Sequence, residues 1–354
     1  MTSQVSLQLK SPYLVFIAGV DSVHYAKTGL GLVQWCPELV AGQLRFAGNS
    51  LDLGVPDMTM QQAADAGVKS IVIGVAPTGG AIDDRWIASL EDAAKLGLDI
   101  VSGLHSRLED FPGVVSAAQS TGVQLINVRT PPKGLPVGSG QKRSGKRVLM
   151  VGTDCAVGKK YTALALTKSL QKLGVKATFR ATGQTGIMIA GSGIPIDAVV
   201  ADFISGAAEV VSPANDPDHW DVIEGQGSLF NPSYAGVSLG LLHGSQPDAL
   251  VICHDATRKV IDGRPHITLP TLPECIDLHL RCGQLTNADI TCVGVSVNTS
   301  GLPDHQRNTY LQALSDEIGL ICVDSVMDSC DAIADYLVSH FDTHSNKEEI
   351  GDHA

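Results

Sequence analysis

One stretch, VLMVGTDCAVGKKYTALAL at residues 148–166, constrains the fold of this chain more than any other. An apolar run reads as a buried strand, two glycines flank a bend, and the residues after Lys159 continue with helical spacing. Gly152 closes the strand, and Gly158 leaves the backbone open to an anion. The helix opening near Lys159 directs its unpaired N–H groups and the positive end of its dipole at that anion, and Lys159 adds a point charge. Gly152, Thr153, Asp154, Gly158 and Lys159 are therefore candidate phosphate ligands.

The loop departs twice from the common phosphate-loop pattern. Five residues instead of four separate its glycines, and Lys160 stands where Ser or Thr would bind magnesium. Magnesium takes oxygen ligands in an octahedral shell, so an ammonium here predicts a phosphate held by charge, with no metal expected. Thr162 is wrongly placed to supply the missing hydroxyl.

Around this segment, short Val- and Ile-rich runs alternate with helical ones, the pattern of parallel sheets covered by helices. YLVFIAGV, SIVIGVA, DIVSGL and VQLINVR are strand candidates before it, and DDRWIASLEDAAKLG is a helix. KATFRAT, WDVIEGQG, DALVICH, ITCVGVSVN and LICVD are strand candidates after it. At 354 residues the chain exceeds what one core readily fills. The expected class is α/β: a Rossmann-like domain over 1–130, a Pro-, Gly- and Lys-rich linker over 131–146, and a P-loop-like domain with a mostly parallel sheet over 147–342. A polar tail, 343–354, is expected to fray.

A formal net charge of −12 argues against nucleic acid or an anionic membrane as partner. There is no apolar run of membrane-spanning length, and MTSQVSLQLKSPY lacks the apolar core of a secretion signal, so a soluble cytoplasmic protein acting on small molecules is expected. A homodimer is the base expectation for an α/β protein of this size. The eight cysteines form no C-x-x-C pair and read as reduced structural thiols.

GTDCAVGKK resembles the G-T-D-x-x-V-G-K-T loop of the dethiobiotin synthetase and cobyric acid synthase branch of P-loop proteins. Glu224–Gly225 in VIEGQGS and Asn298 at the end of VGVSVN stand where that branch carries an E-G motif and a nucleobase contact. Lys160 separates two readings. An ATP-dependent carboxylate ligase or kinase would want the magnesium hydroxyl, whereas a nucleotide bound without phosphoryl transfer, such as coenzyme A, would not. A nucleotide-binding regulator is a third reading.

Beyond the loop, YAKTGLGLVQWCPE (25–38), GVAPTGG (74–80), ATGQTGIMIAGSGIPIDAVVADFISGAAE (181–209) and EGQGSLFNPSYAGVSLGLLHGSQPDALVICH (224–254) together resemble the DgcN-type D-glutamate N-acetyltransferase family over nearly the whole chain. The resemblance implies acetyl transfer from acetyl-CoA to the amine of D-glutamate, in D-amino acid catabolism.

Amide formation from a thioester needs a neutral amine, a stabilised oxyanion and a proton for the leaving thiolate. Glu224, at a strand's carboxyl edge, is the first candidate base. Asp202 in VVADF and Asp154 are weaker ones, and His243 and His254 end apolar runs where an acid or base fits. The glycine-rich turns around Gln184 and Gln226 offer N–H groups to an oxyanion and side chains to the substrate. Two substrate carboxylates call for cations: Lys27, Arg129, Arg180 and Arg258 are the candidates. Lys159 and Lys160 would take the pyrophosphate and Asn298 the base. Cys155, near a helix N-terminus, suggests an acetyl-thiol route, although a small residue is needed there in any case. Asp216, Asp218 and His219 in SPANDPDHWD could suggest a metal, but turn-forming and capping roles explain them at least as well.

Overall fold

The structure is a computed structural model that describes residues 7, 9–76 and 82–348, with His24 and 342–348 described by backbone alone. Part of GVAPTGG, residues 77–80, lies outside the described residues. The chain forms two compact units. Among the described residues, one comprises those up to Pro132 together with Gly183–Ala198, and the other Lys133–Thr182 and those from Val199 onward.

In the first unit, strands β1 (Tyr13–Ala18), β2 (Val40–Arg45), β3 (Ser70–Ile73), β4 (Asp99–Ser102) and β5 (Leu125–Asn127) form one parallel sheet in the order β2-β1-β3-β4-β5. Every residue of β1, β3 and β4 is buried, as strands covered on both faces must be. Helices α1 (Lys27–Trp35), α2 (Met60–Asp65), α3 (Asp84–Lys95) and α4 (Pro112–Thr121) make the crossovers. Asp83 caps α3 by accepting from the Trp86 N–H at 2.9 Å, satisfying one of the donors a helix start leaves over.

The second unit carries β6 (Lys146–Gly152), α5 (Lys159–Lys172) and β7 (Ala177–Arg180). The chain then leaves: α6 (Gln184–Ala190) packs in the first unit, where Thr185 Oγ1 lies 2.9 Å from Thr28 Oγ1 of α1. A boundary drawn along the sequence gives no hint of this excursion. On its return the chain forms α7 (Ile204–Val211), β8 (Trp220–Ile223), α8 (Ala235–Ser245) and β9 (Ala249–Asp255). A hairpin of β10 (Val260–Ile261) and β11 (Arg264–Thr268) follows, then α9 (Leu272–Gly283), β12 (Thr291–Asn298), α10 (Asp304–Ile318), β13 (Cys322–Val323) and α11 (Asp331–Glu348). The last helix, α11, runs to Glu348, and the rest of the polar tail lies outside the described residues.

The second sheet is parallel, in the order β13-β12-β9-β6-β8-β7. β6 is therefore central, and the connections diverge on either side of it, which is where open α/β sheets form their crevice. Leu149 lies opposite Ile223 and Gly152 opposite Cys253. That register brings the residues that follow, Glu224 and His254, to the same carboxyl edge as the loop.

Candidate phosphate-loop site

β6 runs into the loop and the loop into α5, as the sequence implies. Gly158 is the N-cap of α5 at φ +107° and contributes no capping side chain. A Cβ there would meet nothing within 4 Å, so glycine is required for the left-handed backbone and not for space. Ala156 also adopts a left-handed φ of +54°, a strained state for a residue with a Cβ. Gly152 is a packing glycine, because a Cβ would come within 2.8 Å of the Cys253 carbonyl oxygen.

Lys159 is 7% exposed, and its Nζ donates to the Asp154 carbonyl oxygen at 2.7 Å. Burial lowers its pKa against the pull of the nearby Cys253, Cys155 and Asp154. Lys160 turns its ammonium over the Tyr161 ring, 4.4 Å from the centroid. The Cys155 thiol is pushed up to about 11, by burial first and by the Asp154 charge second, so the helix N-terminus yields no thiolate nucleophile.

The fully buried Asp154 carboxylate accepts four hydrogen bonds. Oδ1 takes the Cys155 N–H (2.7 Å) and Asn231 Nδ2 (2.9 Å), and Oδ2 takes the Asp262 N–H (2.6 Å) and Arg258 Nη1 (3.1 Å). Burial opposes ionisation, but these donors outweigh it and hold the carboxyl below its usual value. Asp154 is thus a fixed anion, unsuited to be a base. Arg258 also donates to the Cys155 carbonyl at 2.7 Å, so it braces the loop.

Beside the loop, Thr182 donates its N–H to Glu224 Oε2 (2.9 Å) and its hydroxyl to the Glu224 carbonyl (2.6 Å). Gln226 Nε2 reaches the same hydroxyl at 3.1 Å. His254 Nδ1 lies 3.1 Å from Thr153 Oγ1, and burial lowers its pKa, which keeps the ring neutral at neutral pH. Asn298 ends β12 and accepts the Ser300 N–H at 3.1 Å.

Other candidates are engaged elsewhere. Arg180 Nε donates to Asp221 at 2.7 Å inside the core. His243 Nε2 lies 3.1 Å from the Cys282 carbonyl and joins α8 to α9. Asp202 is exposed on a short turn before α7. Asp216 and Asp218 pair with Lys176, at 3.2 and 3.1 Å. Within the first unit, Arg129 Nη1 donates to Asp197 at 2.6 Å and lies 3.5 Å from Gln184 Oε1, while Lys27 opens α1 with an exposed side chain. The Gln184 and Gln226 turns belong to different units. Asn231, Asp262 and Thr182, which shape the site, carry no sequence signal of their own.

A Rossmann-like unit and a second unit built on a parallel sheet with a Gly-Lys loop at its centre define a two-domain α/β protein of P-loop type. The model described as a domain of unknown function, DUF1611 C-terminal P-loop domain, matches residues 136–334, and that of the DUF1611 N-terminal Rossmann-like domain matches 44–131. The chain belongs to the DUF1611 family, which includes proteins named D-glutamate N-acetyltransferase. It is 45% identical over 331 residues to the D-glutamate N-acetyltransferase of Tritonibacter scottomollicae, covering 94% of this chain and 99% of the relative. It is 46% identical over 327 residues to that of a Pseudoalteromonas species, covering 92% and 98%. The crystal structure of a DUF1611 family protein from Anabaena variabilis ATCC 29413 has a TM-score of 0.84 and 31% identity, covering 94% of this chain and all of that one. No helix among the described residues is long and apolar enough to cross a membrane.

Proposed function

We infer that this protein is a D-glutamate N-acetyltransferase, moving an acetyl group to the amine of D-glutamate. The observation that carries this reading is end-to-end identity of about 45% to two proteins of that name. The donor we propose is acetyl-CoA. Its pyrophosphate suits a loop that offers helix N–H groups and the buried Lys159 and carries Lys160 in place of a magnesium hydroxyl. Asn298, at the same sheet edge, is the proposed contact for the adenine.

In the proposed reaction Glu224 takes a proton from the substrate ammonium. The freed amine attacks the thioester carbonyl, the C–S bond breaks, and the thiolate leaves and is protonated. Thr182, bonded to both the side chain and the carbonyl of Glu224, fixes the carboxylate, and Gln226 extends that network.

The test is thiol release from acetyl-CoA against a panel of D- and L-amino acids. Thiol release that depends on D-glutamate is expected. Release with no acceptor in the panel, or transfer that requires ATP, would overturn the reading.

A further inference from the structure

Asp154 sits at the crossing of three separate segments. Its carboxylate binds its own loop through the Cys155 N–H, the turn after β8 through Asn231, and the hairpin approach through Arg258 and the Asp262 N–H. The hairpin is also tied to that turn, because Arg264 Nη2 donates to Ser233 Oγ at 2.7 Å. The same residue's carbonyl holds Lys159 Nζ. The direction of the Asp154 peptide therefore sets where the lysine's charge stands, and the carboxylate fixes that peptide.

We propose that Asp154 is a positioning residue for the donor site: bracketed by Arg258, Asn231 and the Asp262 N–H, it holds the loop and Lys159 in the anion-receiving form before the donor arrives. This deepens the donor reading and rests on it. An aspartate is required chemically. Both oxygens accept two donors each, so an asparagine, flipped either way, turns its NH2 toward a pair of N–H donors. A loop that must be organised on binding loses part of the donor's interaction energy to ordering, which weakens affinity and leaves the later chemistry unchanged.

The experiment compares Asp154→Asn, Arg258→Met, Arg258→Lys, the Asp154→Asn/Arg258→Met double variant and Lys159→Ala, measuring kcat and the KM of acetyl-CoA and D-glutamate alongside Tm. Asp154→Asn should raise the acetyl-CoA KM by roughly 10-fold or more while kcat at saturating donor and the D-glutamate KM stay within about 3-fold. Arg258→Met should do the same more weakly, Arg258→Lys should recover part of the loss, and the double variant should be no worse than Asp154→Asn, because both act through one bracket. If Asp154→Asn does not fold, Arg258→Met alone carries the measurement. An acetyl-CoA KM that moves in Lys159→Ala but in neither bracket variant overturns the positioning role and leaves the donor reading standing. An unmoved KM in Lys159→Ala overturns the donor reading itself.

Discussion

Gly225 lies against Lys159: a Cβ at position 225 would stand 3.0 Å from the lysine Cδ and 1.6 Å from the Met150 carbonyl oxygen. The residue after Glu224 must therefore be glycine for β8 to end beside the loop lysine. Gly225→Ala would force the backbone of β6 aside and crowd the lysine chain as well, at about 1–3 kcal/mol of overpacking or more. The expected result is a Tm lower by several degrees and an acetyl-CoA KM raised by roughly 10-fold. Scanning calorimetry together with initial rates checks both, and a variant equal to the parent in each would refute the packing argument.

For Glu224→Gln we expect kcat to fall roughly 100-fold or more with acetyl-CoA binding intact, because the amide keeps the shape of the carboxylate but takes no proton. The loss should shrink as pH rises and the substrate amine deprotonates unaided. Near-parent rates at neutral pH would remove Glu224 from the base role.

The parts of this arrangement legible in the sequence are those set by local pattern. The loop, its helix and the strand ends carrying Glu224 and His254 follow from apolar runs broken by glycines. Partner choice does not follow. Arg180 ends a strand, which promises the crevice, but side chains alternate across a sheet and this one turns to Asp221, 41 residues away. Arg258 reads as a substrate cation until the fold brings it to Asp154, 104 residues away. His243 ends an apolar run that proves to be a helix facing Cys282. β2 carries no clear strand signal, because VAGQLR places a glycine and a fully buried Gln43 in its middle. The Gln43 amide is satisfied by Asp52, the Val55 carbonyl and the Leu53 N–H, contacts no alternation pattern reveals.

Transfer should persist without metal or ATP. Lys160 occupies the position of the magnesium hydroxyl, and Thr162 Oγ1 is engaged by the Gly158 carbonyl, Ser296 and Ser325 at 3.2, 2.9 and 2.9 Å. A thioester already carries the activation that a ligase draws from ATP. Acetylation of D-glutamate is expected to survive exhaustive EDTA treatment, with no phosphate released from added ATP. Activity lost with EDTA and restored by magnesium, or phosphate release matching product, would favour the ligase chemistry.

His279 makes stability depend on pH. It is fully buried on α9, with Nδ1 2.7 Å from the Cys275 carbonyl. A carbonyl only accepts, so Nδ1 carries the proton, and Nε2 has no partner among the described residues. Burial first, with the nearby Lys159 also acting, pushes the pKa down to about 4, against the hydrogen bond to Cys275. The unfolded chain therefore binds a proton at this residue near pH 6.5 that the folded chain refuses until about pH 4. Stability from this group is complete above that window and declines as pH falls through it, by about 3 kcal/mol. Urea titrations at pH 7.5, 6, 5 and 4 measure it, with His279→Gln as the control in which this part of the slope is absent. A slope identical in the parent and the variant would assign the acid sensitivity to other groups.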